Sequence, residues 1–288
     1  MEFAFLTPPE NEIEADKRGV MVSMSTTFYP REDHPTDLII LTSDNVFFSV
    51  HTSVLLEKST NKFGGLIASV DTQSITVPES SDSINLLLHA FYNYDPTNYI
   101  PTLAQISTML SAVPKYGLAP DGLFARGTPF FNLTLNLALS SPLETFAVVC
   151  QHNLEELAVE VSHHLIAIPL HNLTDDLCAR IGPIYLRRLV FLHLGRTERL
   201  KNLLRIPPAG HEPNQQCDKI DQKRNLEHLW IEATSSLAWD LNASTPVSLF
   251  HAVLSPLADK VSCVECKTSF KESIRKLIVD WTMVKTTI

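Results

Sequence analysis

Two short apolar runs near the start of the chain are the clearest indication of β-strands in the sequence. The first covers Asp37–Leu41 and the second covers Val46–Val50, with the turn-forming residues Ser43-Asp44-Asn45 between them. Runs of this length, joined by so short a turn, predict an antiparallel hairpin. Alternation of apolar and polar residues over 73–77 predicts a third short strand. Any fold for this chain must therefore include a small sheet.

A helical period replaces the strand period after the third run. Ile84, Leu87, Leu88 and Phe91 fall at i, i+3, i+4 and i+7, which predicts a helix with one buried face. A similar stripe over 103–113 ends at Pro114, because proline lacks the N–H that would continue the helix. Further stripes cover 154–168, 226–237, 250–257 and 270–281. Between the hairpin and these stripes, a helical turn over 54–56 and a second short helix over 61–67 are predicted.

Composition and the distribution of apolar residues limit the classes of protein to which this chain can belong. Among 288 residues, 23 are basic and 32 acidic, for a net charge of −9, and 44% are hydrophobic, which is enough to build a core. No apolar run approaches the ~20 residues that a membrane-spanning helix needs. The N-terminus lacks the basic start and long apolar stretch of a secretory signal. We therefore expect a cytoplasmic or nuclear protein with no membrane partner, and the acidic balance disfavours nucleic acid as a partner.

These patterns predict an α+β chain in three parts. Residues 1–34 are polar and interrupted by prolines, which indicates a mostly flexible lead. Residues 35–125 combine short strands with a cluster of helices. Residues 126–288 form an all-helical region, divided by a proline-rich loop near 207–218.

The first of the two structured parts resembles a known family. Asp37-Leu38-Ile39-Ile40 is followed by the run Phe48-Ser49-Val50-His51-Thr52-Ser53-Val54-Leu55, then by Ser59, Phe63 and Phe91-Tyr92. These residues resemble the BTB/POZ domain, which places Asp at the start of its first strand and F-x-V/A-H-x-x-V-L across a strand-to-helix junction. The whole chain is similar to the BTB/POZ proteins of mushroom-forming fungi (basidiomycetes).

The resemblance implies a protein–protein interaction module rather than an enzyme. Such a chain would be an adaptor or scaffold, with a cullin ubiquitin ligase as one expected partner. The alternative is a self-associating, transcription-linked scaffold, such as a homodimer, that has no ligase partner. The expected surfaces are the hairpin edge 37–51, the predicted helix 59–67 and the loop 91–99, although the family gives His51 a structural role as well. The residues expected to carry interaction are Asp37, His51, Phe63, Tyr92, Tyr94 and Tyr99.

The one pattern typical of metal chemistry lies in the helical region. Cys263-x-x-Cys266 has the spacing that places two thiolates on one tetrahedral ion. Cys217 is a candidate third ligand, and His211, or less favourably His228, a candidate fourth. The alternative, that these are small buried side chains at a helix junction, is favoured. No cofactor is therefore expected, and a structural zinc protein is kept as a further alternative.

Two other groups of residues are interpreted as structural rather than functional. Cys150 and Cys178 fall inside helical stripes and are assigned to the core, and no nucleophile motif surrounds any cysteine. A basic cluster follows on residues 187–205, which could form a docking face for an acidic partner or nucleic acid. A solvated outer face of two helices is favoured instead, because the chain is acidic overall. The cluster consists of Arg187, Arg188, Arg196, Arg199, Lys201 and Arg205.

Overall fold

A computed structural model of the chain describes residues 22–30, 32, 35–68, 72–215 and 217–288. These residues form two compact units. The first contains the described residues up to Tyr94 together with Lys115–Leu118, and the second contains Asp95–Pro114 and Ala119–Ile288. The fold class is α+β, as predicted. Within the described ranges, no helix combines the length and apolar character needed to cross a membrane.

The first unit is built on a four-stranded sheet in the order β1-β3-β2-β4. Strands β2 and β3 are antiparallel, which confirms the predicted hairpin, and β4 is parallel to β2. Alternate residues of β2 are buried, so the sheet has one core face and one outer face. The bounds are β1 Ser23–Met24, β2 Leu38–Leu41, β3 Val46–Val50 and β4 Ser74–Thr76.

Two helices complete the first unit, α1 at Thr52–Lys58 and α2 at Ser81–Tyr92. The predicted stripe of α2 is buried. The helix ends where Asn93 adopts a left-handed conformation.

The predicted helix over 61–67 is wrong. Residues 60–66 form consecutive turns, in which Lys62, Phe63 and the two glycines that follow have positive φ angles. The side chain of Ser59 accepts the N–H of Phe63, and that of Asn61 accepts the N–H of Gly64. Because these bonds replace helical ones and the glycines permit the left-handed backbone, the segment turns instead of continuing as a helix.

The end of the predicted flexible lead is paired with the sheet. Strand β1 lies parallel to β3, and Phe28 is only 4% exposed, with its ring centroid 5.3 Å from those of His89 and Tyr92. Burial of a large aromatic ring fixes this stretch against α2, which the polar composition of the lead did not indicate. Residues 1–21 lie outside the described residues.

The second unit is helical in the residues described. Helix α3 (Leu103–Ala112) belongs to it, although this segment was predicted to group with residues 35–125. Short 3₁₀ turns at Pro96–Tyr99, His163–Leu165 and Leu170–Asn172 and a π-helical turn at Lys223–His228 join the longer elements. The helices are α3 Leu103–Ala112, α4 Pro120–Leu123, α5 Pro129–Ser140, α6 Pro142–Gln151, α7 Glu155–Ser162, α8 Asp175–Leu204, α9 Lys219–Gln222, α10 Leu229–Leu237, α11 Val247–Lys260 and α12 Val264–Thr282.

Helix α8 is interrupted at Gly182. This residue has φ 76° and ψ 161°, a conformation open almost only to glycine, and Pro183 follows it. Beyond α8, an apolar cluster packs the C-terminal helices together, with Trp230, Phe250 and Phe270 at most 1% exposed. Cys217 and Cys266 belong to the same cluster. The core of this part of the unit therefore extends to the cysteines that the sequence singled out.

Candidate metal centre

Four side chains of the second unit converge on one point. They are His211, Cys217, Cys263 and Cys266, the set proposed from the sequence, and their ligand atoms all lie within 4.8 Å of one another. Nε2 of His211 is 3.3 Å from Sγ of Cys263, and Sγ of Cys217 is 3.6 Å from Sγ of Cys266. Two ligands come from the loop between α8 and α9, and two from the start of α12. The fold thus brings together residues about fifty positions apart.

These separations can be compared with those in a tetrahedral zinc site. Zinc–sulfur bonds of about 2.3 Å and zinc–nitrogen bonds of about 2.0–2.1 Å give tetrahedron edges of about 3.6–3.8 Å. The two closest pairs, at 3.3 and 3.6 Å, lie near that range, and the upper limit of 4.8 Å for the remaining pairs requires only small movements. The donor set therefore fits a zinc ion.

The start of α12 creates a favourable environment for one thiolate. Cys263 is the residue before the helix, where its side chain makes no capping hydrogen bond but lies near the backbone N–H groups of Cys266 and Glu265. The nearby backbone N–H of Cys266 is the main cause that lowers the pKa of Cys263 to about 7, against the opposing effect of desolvation. A thiol that ionises near neutral pH is a ready metal ligand.

The other two sulfurs are in an environment that disfavours charge. Cys217 is 1% exposed and Cys266 is fully buried. Burial raises the pKa of Cys217, and it raises that of Cys266 to about 12. A bound divalent cation reverses this preference, because it deprotonates a coordinating thiol outright. Three sulfurs packed around one imidazole nitrogen are thus an arrangement that a cation would stabilise.

The imidazole of His211 is oriented by groups behind it. Its Nδ1 lies 2.8 Å from the carbonyl oxygen of Glu212 and 3.2 Å from Oε2 of Glu265. Two acceptors at Nδ1 favour the tautomer with hydrogen on that nitrogen, which leaves the lone pair of Nε2 directed at the sulfurs. Carboxylate or carbonyl partners of this kind are typical of metal-binding histidines. The role of Glu265 was not predicted, although its place within Cys263-x-x-Cys266 could have suggested it.

The loop that carries His211 and Cys217 is held in place by local hydrogen bonds. Backbone groups of Asn214 and Cys217 exchange two hydrogen bonds, 3.1 and 3.3 Å long. Asp218 then caps α9 by accepting the N–H groups of Ile220 and Asp221. Because both sides of Cys217 are fixed in this way, its sulfur is placed before any ion binds.

The remaining cysteines and His228 lie outside this cluster. Cys150 is buried in α6, which raises its pKa, and Cys178 is half-buried in α8. His228 is exposed at the end of the π-helical turn and does not belong to the four-residue group. The choice of His211 over His228 as the fourth member therefore agrees with the geometry.

The residues expected to carry interaction have mixed positions. Asp37 accepts the N–H of Thr52 at the start of α1, and Nδ1 of His51 lies 2.9 Å from the hydroxyl of half-buried Tyr92. These three residues therefore hold the first unit together. Among the six, Asp37, Tyr94 and Tyr99 are exposed, and the two tyrosines, at 48% and 41%, belong to different units.

Phe63 is not a surface residue. It is fully buried, with its ring stacked on that of Tyr116 at a centroid distance of 4.3 Å. The ring of Phe63 is therefore not presented at a surface, because the turn at 60–66 directs it inward, whereas the predicted helix left it outside.

The basic cluster divides into buried and exposed members. Arg196 is only 8% exposed, and it donates to the carbonyl oxygens of Ala243, Val284 and Lys285. Its guanidinium carbon also lies 4.3 Å from the ring centroid of Trp281. Arg196 therefore holds the end of α12 and does not contribute to an outer face, while the rest of the cluster is exposed or half-buried on the single helix α8.

Comparison of the chain with protein-family models, with curated proteins and with solved structures finds no match.

Proposed function

We propose that this chain is a non-catalytic protein-interaction protein whose helical unit is fixed by a structural zinc ion. The observation that carries the zinc assignment is the convergence of His211, Cys217, Cys263 and Cys266 within 4.8 Å. The interaction role rests on the BTB-like hairpin and strand-to-helix junction of the first unit.

A structural rather than catalytic ion is supported by the number of protein ligands. Four protein donors fill a tetrahedral ion, whereas catalytic zinc sites use three and leave the fourth position to water or substrate. Two of the donors, Cys217 and Cys266, are also buried in the apolar cluster, where substrate would not reach them. Thiolate-rich sites with one imidazole favour zinc over the hard cations magnesium and calcium, which take oxygen ligands.

The ion would act as a cross-link between distant segments. It would tie the loop between α8 and α9, which carries His211 and Cys217, to the first turn of α12. Such a cross-link contributes to folding because the unfolded chain holds no preformed site. The helical unit would then offer a fixed surface to partners.

The zinc content of the purified full chain tests this proposal. We expect one zinc ion per chain by mass spectrometry under native conditions, and none after Cys263→Ser combined with Cys266→Ser. Cys178→Ser is the matched control, because this half-buried cysteine lies outside the cluster. Metal-free wild-type protein, prepared from zinc-supplemented cells without chelators, would contradict the proposal.

We propose in addition that the first unit is a BTB-like interaction domain. Three features favour it: the hairpin, the parallel return of β4 to β2 after α1, and the bonds of Asp37 and His51 at the strand-to-helix junction. The adaptor form of this proposal has a cullin as partner, and the scaffold form has a second copy of the chain.

A direct binding assay separates these forms. Full-length protein is titrated against the N-terminal region of the cullin that BTB adaptors use, and its mass in solution is measured in parallel. Tyr94→Ala is the surface variant, since Phe63 is buried. Cullin binding weakened by Tyr94→Ala supports the adaptor. A dimer without cullin binding supports the scaffold, and a monomer without cullin binding removes both.

A further inference from the structure

An almost fully exposed tryptophan lies at the end of α10. Trp239 is 90% exposed, whereas Trp230 and Trp281 are buried. Ile231, Ser235 and Trp239 follow one another at intervals of four residues, so they share one side of α10 and the turn after it. Ile231 is also exposed, at 55%. Large apolar side chains in such positions are typical of interaction sites, and tryptophan is among the residues that contribute most to binding.

A cavity lies beside this tryptophan. Its volume is about 540 Å³, and its apolar wall includes Leu204, Trp230, Ala238 and Leu241. The charged residues in its lining are the two cations Lys201 and Arg205, both from the C-terminal end of α8. The cavity therefore combines an apolar interior with a positively charged rim.

The cationic rim continues along the outer side of α8. Six residues of this helix and its cap fall at successive intervals of four and three, so they form one strip, which we call the α8 strip. Five of the six are exposed and one is half-buried, and Phe191 and Leu194 are 67% and 58% exposed. The strip consists of Arg187, Phe191, Leu194, Glu198, Lys201 and Arg205.

The charges of this strip are largely uncompensated. The ion pair of Arg205 with Glu198 is long, at 3.9 Å, and joins two exposed side chains, so it contributes little. Among the residues that the structure describes, no carboxylate pairs with Arg187 or Lys201 within 4.0 Å. The strip thus carries a local positive charge on a chain whose net charge is −9. An acidic partner would be repelled by most of the chain and steered to this face.

We infer that the α8 strip and the Trp239 cavity form a docking surface for an acidic amphipathic helix of a partner protein. The strip spans eighteen helical steps, about 27 Å, which matches a partner helix of similar length. Apolar side chains of that helix would cover Phe191 and Leu194 and enter the cavity beside Trp239. Its carboxylates would pair with Arg187, Lys201 and Arg205. This inference names the partner chemistry of the interaction role proposed above and rests on that role.

Two other occupants fit the surface less well. A second copy of the strip, related by twofold symmetry, would place cations against cations. An anionic membrane would satisfy the charges and the exposed rings, but a bilayer surface would not fill a concave cavity with side chains. Both remain outcomes of the test.

The test uses a synthetic helical probe and the full-length protein. The probe is a fluorescein-labelled peptide of about 18 residues, with leucine at i, i+3, i+4 and i+7 and glutamate at the flanking positions. A second peptide carries lysine in place of each glutamate. We expect the acidic peptide alone to bind by fluorescence anisotropy. Its unlabelled form should shift the tryptophan emission to shorter wavelength, because Trp239 leaves water.

Two variants and two controls assign the binding to this surface. Trp239→Ala and the pair Lys201→Glu with Arg205→Glu should each weaken binding by roughly tenfold or more. Leu139→Ala, at an apolar position on α5 that is 70% exposed, should leave it unchanged. The pair Lys260→Glu with Arg275→Glu makes the same charge change elsewhere and should have a much smaller effect.

Several results would overturn the inference. They are failure of the acidic peptide to bind, equal binding of the lysine peptide, or binding unaffected by Trp239→Ala. Binding only to phosphatidylserine-containing vesicles would replace the helix with a lipid surface, and concentration-dependent dimerisation lost in Trp239→Ala would replace it with a second copy. Zinc content is measured on each sample, so a failure of the zinc proposal is distinguished from a failure of this one.

Discussion

In the first unit, segments distant in sequence are joined by polar side chains that bond to backbone or to one another. Asn61 bonds to the carbonyl of Lys115, and Glu79 bonds to the side chains of Lys115 and Tyr116. In the second unit, the corresponding links are a buried arginine and a cluster of three cysteines and a histidine. The first unit contains no cysteine. The two units should therefore respond to different perturbations, metal removal in one and backbone strain or acid in the other.

Metal removal should produce the largest difference in stability between the two units. Chelation of the zinc-loaded chain should destabilise the second unit by on the order of 5 kcal/mol, because structural zinc contributes directly to folding. Hydrogen exchange is the measurement: amides at the start of α12 and in α9 should lose protection, while those of the β2–β3 hairpin should keep theirs. Equal loss of protection in both units, or none in either, would contradict the comparison.

Replacing the buried arginine should have the next largest effect. Arg196→Met keeps the length of the side chain but leaves the carbonyls of Ala243, Val284 and Lys285 without their donor. We expect a loss of about 2–4 kcal/mol in the free energy of unfolding, measured with urea. Arg199→Met, an exposed neighbour on the same helix, should change it by less than about 0.5 kcal/mol. Similar values for the two variants would show that the buried bonds do not stabilise the unit.

Two glycines of the first unit allow the stability cost of backbone strain to be measured separately from that of steric crowding. Gly65 and Gly117 both have φ of 76°, but a Cβ on Gly117 would lie 2.5 Å from Oδ1 of Asn61, while one on Gly65 has open space. Gly65→Ala should cost about 1 kcal/mol from backbone strain alone, and Gly117→Ala about 2–3 kcal/mol. Thermal unfolding gives both values. Equal losses would mean that the contact between Asn61 and residue 117 is loose.

Acid should weaken the first unit through Glu79, by on the order of 1 kcal/mol. Burial opposes the charge on this carboxylate, but hydrogen bonds from Lys115 and Tyr116 outweigh it and hold the pKa of Glu79 below its usual value of 4.5. A lowered pKa gives stability that is complete above 4.5 and is lost as the pH falls through the folded value. Glu79→Gln should remove this part of the pH dependence in unfolding curves below pH 5. An unchanged pH profile in the variant would exclude Glu79 as its source.

The elements that sequence could predict are those set by local spacing. The hairpin, the strand at β4 and the helical stripes follow from periods within a few residues of one another. Cys263-x-x-Cys266 was likewise visible as a pair, and His211 and Cys217 were identified by residue type alone. Their convergence depends on tertiary packing of the loop after α8 against α12, and this packing cannot be predicted from the spacing of residues in the sequence.

The features that sequence missed depend on contacts with distant residues. Phe63 is buried because the turn at 60–66 directs it onto Tyr116. Arg196 is buried because carbonyls from two later segments surround it, and Trp239 is exposed because nothing in the described chain covers it. The break of α8 at Gly182 could have been suspected from Gly-Pro, yet the helix resumes beyond it.

X-ray absorption at the zinc edge of the purified full chain tests the zinc centre most directly. The proposed site predicts a first shell of three sulfur atoms at about 2.3 Å and one nitrogen at about 2.0–2.1 Å. In Cys263→Ser, the number of sulfur ligands should fall. A first shell of nitrogen and oxygen, or the absence of zinc from the protein, would contradict the cross-link on which the comparison of the two units depends.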